Sequence, residues 1–246
     1  MTKNMTCYTV IQLLKRFNMS LDGSQDIVTI SERASKIGGT RAELTKGHQL
    51  TVKQLMFGMM LPSGNDAAFA LAEHFGTLLQ TMPQKHYKTK LFAGSKYVGH
   101  PVQWFERECN EYAQKLGLKN SHFDSPHGMF NAGNTSTAED VAILLTEAMK
   151  NPVFAEVVAA ETYDCKALNA DDIYRWGNYN ALLNDPKFPG LIGGKTGWTP
   201  AAGVCFAGFY ERDGVKLTCV ALKSDGWGYI WEEIEKMALW GKKQLI

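Results

Sequence analysis

Three short segments of this 246-residue chain carry side chains able to hold an anion, move a proton or assist attack on a carbonyl. Gly194-Lys195-Thr196-Gly197 sets an ammonium and a hydroxyl between glycines. Ser63-Gly64-Asn65 puts a hydroxyl and a carboxamide into one tight turn. Thr2-Lys3 places a second ammonium on the first turn of a helix. The Gly-Lys-Thr run raises two chemistries. A phosphate loop needs GxxxxGK[ST], with backbone N–H groups cradling phosphate where a helix starts. Position 189 is Pro where that pattern requires Gly, and Gly197-Trp198-Thr199-Pro200 does not open a helix, so a phosphate loop is excluded. The other chemistry is that of an edge strand beside an acyl-transfer site. There Lys195 holds a substrate carboxylate, the Thr196 hydroxyl adds a hydrogen bond, and Gly197 lets a substrate backbone lie close. Taken singly each segment has a plainer reading. Ser63-Gly64-Asn65 is an ordinary helix–helix turn, and Lys3 is an exposed lysine near a fraying end.

The elements that must position these groups follow from periodicity. Val10, Leu13, Leu14 and Phe17 predict a helix over residues 6–17. Asp26 to Ile30 reads as a short strand. Thr51 caps a helix from Val52 to Met60, Pro62 stops it, and Asp66 to Phe75 forms the next. Residues 77–103 mix charge, Gly, Pro and His and read as an irregular excursion. Trp104 to Leu116 is helical and ends at Gly117. Ser136 and Glu139 give a capping-box pattern for a helix to about Lys150, closed by Asn151-Pro152. Gly203 to Tyr210 and Val215 to Leu222 are two strands joined by a hairpin turn at 211–214, and Gly228 to Leu245 is a final amphipathic helix. The layout is α+β rather than alternating βαβ. It reads as a single domain over 1–246, with a helical lobe over roughly 25–160 and a sheet with its closing helix over roughly 161–246.

Composition narrows the classes. Hydrophobic residues make up 45% and charged residues 21%, which is ordinary globular usage. A net charge of +1 gives no attraction to nucleic acid or to an anionic membrane. The longest apolar run, Leu55 to Leu61, is too short to span a bilayer, and residues 1–17 lack the pattern of a signal peptide. Five widely spaced cysteines without a CxxC pair read as reduced structural thiols and lean towards a reducing compartment or organelle. The six histidines show no HxxxH or HExxH spacing, so neither metal nor cofactor is expected; His127, in Pro126-His127-Gly128, reads as part of a structural turn.

In combination the three segments follow the order S-x-x-K, S-D-N and K-T-G, the signature of penicillin-binding proteins and class A β-lactamases. The second element here is Ser-Gly-Asn, the form used by low-molecular-weight D-alanyl-D-alanine carboxypeptidases. The chain resembles that serine-type family (peptidase S11) along its whole length. The matches are Met1-Thr2-Lys3, Val28-Thr29-Ile30-Ser31, Gly38-Gly39-Thr40, Leu61 to Ala68, Pro126-His127-Gly128, Ser136-Thr137-Ala138 with Asp140, Asn180 to Leu183, and Gly194 to Gly203. The resemblance implies a DD-peptidase or serine β-lactamase-like fold, with an antiparallel sheet flanked by helices and a mainly helical lobe. It implies a substrate peptide ending in D-Ala-D-Ala, or a β-lactam in its place.

Alignment by resemblance puts Lys3 on the motif lysine and the nucleophilic serine immediately before Met1. The family's first one or two sheet strands would likewise precede Met1. Thr2 is no substitute nucleophile, since it lies roughly 200° further round the helix. By resemblance Lys3, in its neutral form, is the general base, with its pKa depressed by burial and neighbouring cations. Ser63 relays a proton to the leaving amine, Asn65 holds the substrate amide, Lys195 and Thr196 bind the terminal carboxylate beside Gly197, and the N–H of Trp198 serves the oxyanion. Residues 77–103 look like an insertion and offer a candidate surface for a larger assembly. Three readings stay open: a hydrolase whose full-length chain carries the serine, a catalytically dead member kept as a binding or structural subunit, and a β-lactamase, against which Ser-Gly-Asn argues.

Overall fold

Burial runs without a break from Thr2 to Ile11 of the first helix, α1 (Thr2–Arg16), and takes in Leu13 and Leu14 beyond. The protein is described by a computed structural model covering residues 1–20, 23–83, 90–91, 93–129, 132–186 and 188–245. In it α1 is the axis about which the other helices gather. The apolar stripe predicted a start near residue 6, but the helix begins four residues earlier. Its first turns are polar yet buried, so no amphipathic period marks them. Thr6 Oγ1 donates to the Pro126 carbonyl at 2.7 Å, and Thr9 Oγ1 donates to Cys109 Sγ at 3.4 Å.

Around α1 lie α3 (Val52–Met60), α4 (Asn65–Gln80), α5 (Pro101–Leu116), α6 (Ala138–Ala148) and α7 (Pro152–Ala159). They close over a core that includes Met5, Leu14, Leu55, Phe69, Phe75, Phe105 and Phe154. Burial of each such large side chain contributes about 1.5–3 kcal/mol. A short pair, β1 (Ile27–Thr29) with β2 (Gln49–Thr51), and the one-turn helix α2 (Glu32–Ser35) cover one end. Among the described residues no helix is long and apolar enough to cross a membrane.

The last third is sheet. A hairpin of β3 (Thr162–Lys166) and β4 (Ile173–Gly177) packs on the helices through Tyr163, Tyr174 and Trp176, whose indole N–H donates to the Ala42 carbonyl at 3.0 Å. Strands β5 (Leu191–Thr199), β6 (Gly203–Arg212) and β7 (Val215–Ser224) form an antiparallel sheet in that order. The β6–β7 connection is the two-residue turn Asp213-Gly214, with φ of 53° and 77°, the left-handed pair that matches strand twist. Helix α8 (Trp227–Leu245) lays Ile230, Ile234 and Ala238 on this sheet against Phe206 and Tyr210. The result is an α+β fold of antiparallel sheet flanked by helices.

Three expectations need correction. The cap of α6 is Thr137, not Ser136: Thr137 Oγ1 accepts from the Asp140 N–H, while Ser136 Oγ pairs with Ser121 Oγ. Asn151-Pro152 does not merely close a helix. Asn151 Oδ1 accepts from the Val153 N–H and caps α7, with Pro152 at the first helical position, where its missing N–H costs nothing. The excursion read over 77–103 is narrower, because α4 runs to Gln80 and α5 starts at Pro101. Residues 84–89 and 92 of that stretch lie outside the described residues.

Thr51 caps α3 as its sequence predicts, in a reciprocal box: Thr51 Oγ1 accepts from the Gln54 N–H at 3.1 Å, and Gln54 Oε1 accepts from the Thr51 N–H at 2.8 Å. Substituting Thr51→Ala should cost about 1 kcal/mol and lower Tm by about 2–4 °C, read by thermal melting monitored by circular dichroism. An unchanged Tm would show that α3 is held by packing alone.

Candidate functional site

The site begins with a loop that must turn sharply twice. Asn65 opens α4, and the two residues before it reverse the chain after α3. Ser63 takes φ of 59°, a left-handed conformation costing on the order of 1–2 kcal/mol for a residue with a Cβ. Its carbonyl is held by Thr40 Oγ1 at 2.7 Å. A Cβ on Gly64 would lie 2.5 Å from the Gly58 carbonyl oxygen, so only glycine fits between the helices. The Asn65 N–H donates to the Thr40 carbonyl, and Asn65 Nδ2 donates to the Gly38 carbonyl at 2.8 Å. Gly39 has φ of 81°, and a Cβ there would sit 2.5 Å from Asn65 Nδ2. Asp66, fully buried, accepts from the N–H groups of Ala42 and Leu44 and so pins the far end of that loop to α4.

Lys3 enters from α1. Its Nζ donates to Asn65 Oδ1 at 2.7 Å and to the His127 carbonyl at 2.9 Å. The side chain is buried, and its pKa is held well below the ordinary lysine value, first by burial and then by the Lys195 charge, with Asp66 acting the other way. The loop that brings His127 is itself braced. The Asn110 carboxamide bonds both backbone groups of Phe123, and Asp140 accepts from the Asn120 N–H and from Ser121 Oγ. His122 and Thr135 form an antiparallel bridge across its base. Gly128, φ 77°, passes so close to α1 that a Cβ would meet Thr2 Oγ1 at 2.7 Å. Thr2 Oγ1 is engaged by Asn134 Nδ2 at 3.0 Å.

The third wall is β5, which among the described residues is an edge strand bonded to β6 alone. Lys195 pairs in register with Ala207, Thr196 with Phe206 and Gly197 with Cys205. Lys195 is 2% exposed, burial lowers its pKa to about 7, and its Nζ donates to the Thr196 carbonyl at 3.1 Å. The Met1 backbone nitrogen lies 3.4 Å from where a Cβ on Gly197 would stand, so the start of α1 abuts this strand without an intervening side chain.

These walls enclose one cavity of about 1200 Å³. Lys3, Ser63, Asn65, Lys195, Thr196, Gly197 and Trp198, singled out in the sequence across nearly 200 positions, all line it. Lys3, Asn65, Lys195 and Thr196 are buried, Ser63 is half-buried, and Trp198 stands at the rim, 58% exposed. Sequence reasoning assigned no role to several other wall residues. Thr40 holds Ser63; Tyr179 and Trp227 add exposed aromatic surface at the mouth, and Met129 adds apolar surface. Gly38-Gly39-Thr40 was visible as a motif; Tyr179 and Trp227 left no local signal. His127, read as a turn residue, does more than turn, because its carbonyl meets the Lys3 ammonium. All five cysteines are free thiols, and Cys205 lies in the cavity wall.

Comparison with known proteins agrees with this architecture. A family model described as D-alanyl-D-alanine carboxypeptidase (peptidase S11) matches residues 1–82 and 95–226. The twelve residues it passes over, 83–94, confine the insertion to less than half of the stretch read from the sequence. A D-alanyl-D-alanine carboxypeptidase of Streptomyces sp. strain K15 is 35% identical over 231 residues, covering 91% of this chain and 71% of its own. The carboxypeptidase DacF of Bacillus subtilis is 30% identical over 221 residues; the alignment covers 89% of this chain and 49% of that protein. Among solved structures, the Streptomyces K15 DD-transpeptidase superposes with a TM-score of 0.77 at 30% identity, covering 100% of this chain and 87% of that one. A D-alanyl-D-alanine carboxypeptidase from Mycobacterium tuberculosis gives 0.74 at 25% identity, with 97% and 80% coverage. The match extends over the fold and over every wall of the cavity, and the chain belongs to the D-alanyl-D-alanine carboxypeptidase family, peptidase S11.

Proposed function

We propose that the full-length protein is a serine-type D-Ala-D-Ala carboxypeptidase, that its nucleophile is a serine immediately before Met1, and that the residues of the cavity act on it. The observation that carries this reading is the place where α1 begins. The Met1 nitrogen lies against Gly197, and Lys3, two residues on, is bonded to Asn65. Met1, Lys3 and the Lys195-Thr196-Gly197 strand line the same cavity, which supports a nucleophile attached to Met1 acting there.

The chemistry is acyl transfer in two steps. A hydroxyl needs a base at neutral pH. Neutral Lys3 takes the serine proton as the oxygen adds to the carbonyl of the penultimate D-Ala. The carbonyl oxygen gathers charge and is met by the N–H of Trp198 and that of the serine. Collapse breaks the C–N bond, and Ser63 Oγ passes a proton to the departing D-Ala amine. Water then adds to the ester under the same base and frees the serine. Asn65 retains one Nδ2 hydrogen beyond its bond to Gly38 and offers it to the substrate amide. Charged Lys195 and the Thr196 hydroxyl hold the terminal carboxylate.

The two lysines therefore work in opposite states. Lys3 acts when deprotonated, so kcat/KM rises with pH as it loses its proton. Lys195 binds when protonated, so kcat/KM falls as pH rises through about 7, the value burial sets in the free protein. A bell-shaped profile whose alkaline limb lies near pH 7 is expected for release of D-Ala from a D-Ala-D-Ala peptide by the protein isolated from its source. An alkaline limb that Lys195→Arg leaves in place would remove Lys195 from the assignment.

Covalent labelling tests the reading as a whole. Fluorescent penicillin should label the native protein, and peptide mass spectrometry should find the adduct on a serine preceding Met1-Thr2-Lys3. Lys195→Ala should slow labelling by about 10²-fold or more, on the scale of losing a buried charged contact. Absence of any label would sink the hydrolase reading, because removal of a nucleophile costs on the order of a million-fold in turnover. Labelling unaffected by Lys195→Ala would sink its carboxylate role.

A further inference from the structure

The carbonyl that receives the Lys3 ammonium owes its direction to a side chain outside the cavity. His127 Nδ1 accepts from the Met129 N–H at 3.2 Å, so the neutral ring carries its proton on Nε2. That nitrogen lies 3.0 Å from Tyr97 Oη and donates to it. The ring stays neutral because burial, then the Lys3 charge and the Lys96 charge, lower its pKa to about 3. Tyr97 is buried and does not line the cavity. Its ring meets Phe69 of α4 edge-on at 5.5 Å, with the Arg33 guanidinium of α2 5.3 Å above its centre. Its backbone N–H donates to Ser95 Oγ at 2.9 Å, and Ser95 Oγ donates to Glu106 Oε2 of α5 at 2.6 Å. Elements α2, α4 and α5 thus fix one phenol, and the phenol fixes one imidazole.

The imidazole has a reason to need fixing. The His127 carbonyl belongs to the peptide plane shared with Gly128, and a glycine tolerates rotations of that plane that other residues resist. Gly128 has φ of 77°, and the plane is bonded at two points: the Gly128 N–H donates to Ser125 Oγ at 3.1 Å, and the His127 carbonyl accepts from Lys3 Nζ at 2.9 Å.

We propose that Tyr97 is a positioning residue for Lys3: its hydroxyl anchors the His127 ring, and so aims the His127 carbonyl at the Lys3 ammonium. The value of this to catalysis rests on the reading of Lys3 as the base; the chain of bonds does not. Tyr97 is the third residue of the second segment that the family model matches, which opens at residue 95. The charged and titratable groups about the relay are Lys195 of β5 and Asp66 of α4 facing Lys3. Arg33, His100, Glu106 and Asp124 face Tyr97, and Lys96 faces His127. Burial pushes the Tyr97 phenol up to about 12, so it keeps its proton through the working range.

The test is the titration of Lys3 in the protein of this sequence, followed by NMR of lysine labelled with ¹³C at Cε and assigned by the loss of its signal in Lys3→Met. Tyr97→Phe removes the hydroxyl and keeps the ring. A carbonyl acceptor favours the charged ammonium, so its loss should move the Lys3 midpoint down by about half a unit or more. His127→Phe cuts the same bond from the other side and should give a like shift, and the double variant no more than either alone. A midpoint left where it was, moved upward, or shifted additively in the double variant would overturn the relay, even if Tm falls. This readout needs neither serine nor turnover. Failure of penicillin labelling would leave it standing, and an unmoved Lys3 would leave the hydrolase reading standing.

Discussion

A lysine ammonium buried at the head of the most enclosed helix is the constraint around which the rest of the structure is arranged. A charge taken from water is tolerable only where polar atoms replace the water. Lys3 finds two, the Asn65 carboxamide oxygen and the His127 carbonyl, and each comes from a distant part of the chain. Asn65 can stand there because Gly64 lets α4 start hard against α3, and because Gly39 leaves room for its amide. The His127 carbonyl can reach because Gly128 slides over Thr2. Three glycines and one left-handed serine are thus consequences of one ammonium. The nearby Lys195 completes the arrangement by making that ammonium easier to discharge.

The second cation is managed differently. Among the described residues Lys195 has no acidic hydrogen-bond partner and rests on the neighbouring Thr196 carbonyl. Its environment is desolvating without being compensating, and an incoming carboxylate would supply what the strand withholds. Edge placement of β5 matters for the same reason. A central strand would have both backbone edges bonded to neighbours, whereas β5 turns one towards the cavity.

How much of this the chain announces depends on whether the relevant physics is local. The Thr51 cap, the Asp213-Gly214 turn and the strand pair it joins are settled by neighbours a few residues apart, and their patterns are plain. The seven candidate residues were legible because their types are chemically distinctive and fall in a known order. The start of α1 was not, since polar residues satisfied by distant partners look like solvent-facing ones. Nor was the work of His127, where the atom that matters is a carbonyl any residue would supply. Tyr97 gave no signal at all. Its significance arises only when α2, α4 and α5 meet. The Ser136 cap failed for a subtler reason: two adjacent hydroxyls both fit, and the bond between Ser136 Oγ and Ser121 Oγ draws Ser136 away.

Where α4 and α5 cross, a Cβ on Gly76 would fall 2.1 Å from the Pro101 carbonyl oxygen, so the two helices are in backbone contact. Tyr97 has already returned the chain to α4, against Phe69, before α5 begins. The ends of the intervening segment are therefore held by the helices. Closing a loop between fixed ends costs only about 0.6 kcal/mol for each doubling of its length. Residues 83–94 thus occupy a place where a lineage can lengthen or shorten its chain almost freely, so long as the clamp closes behind it.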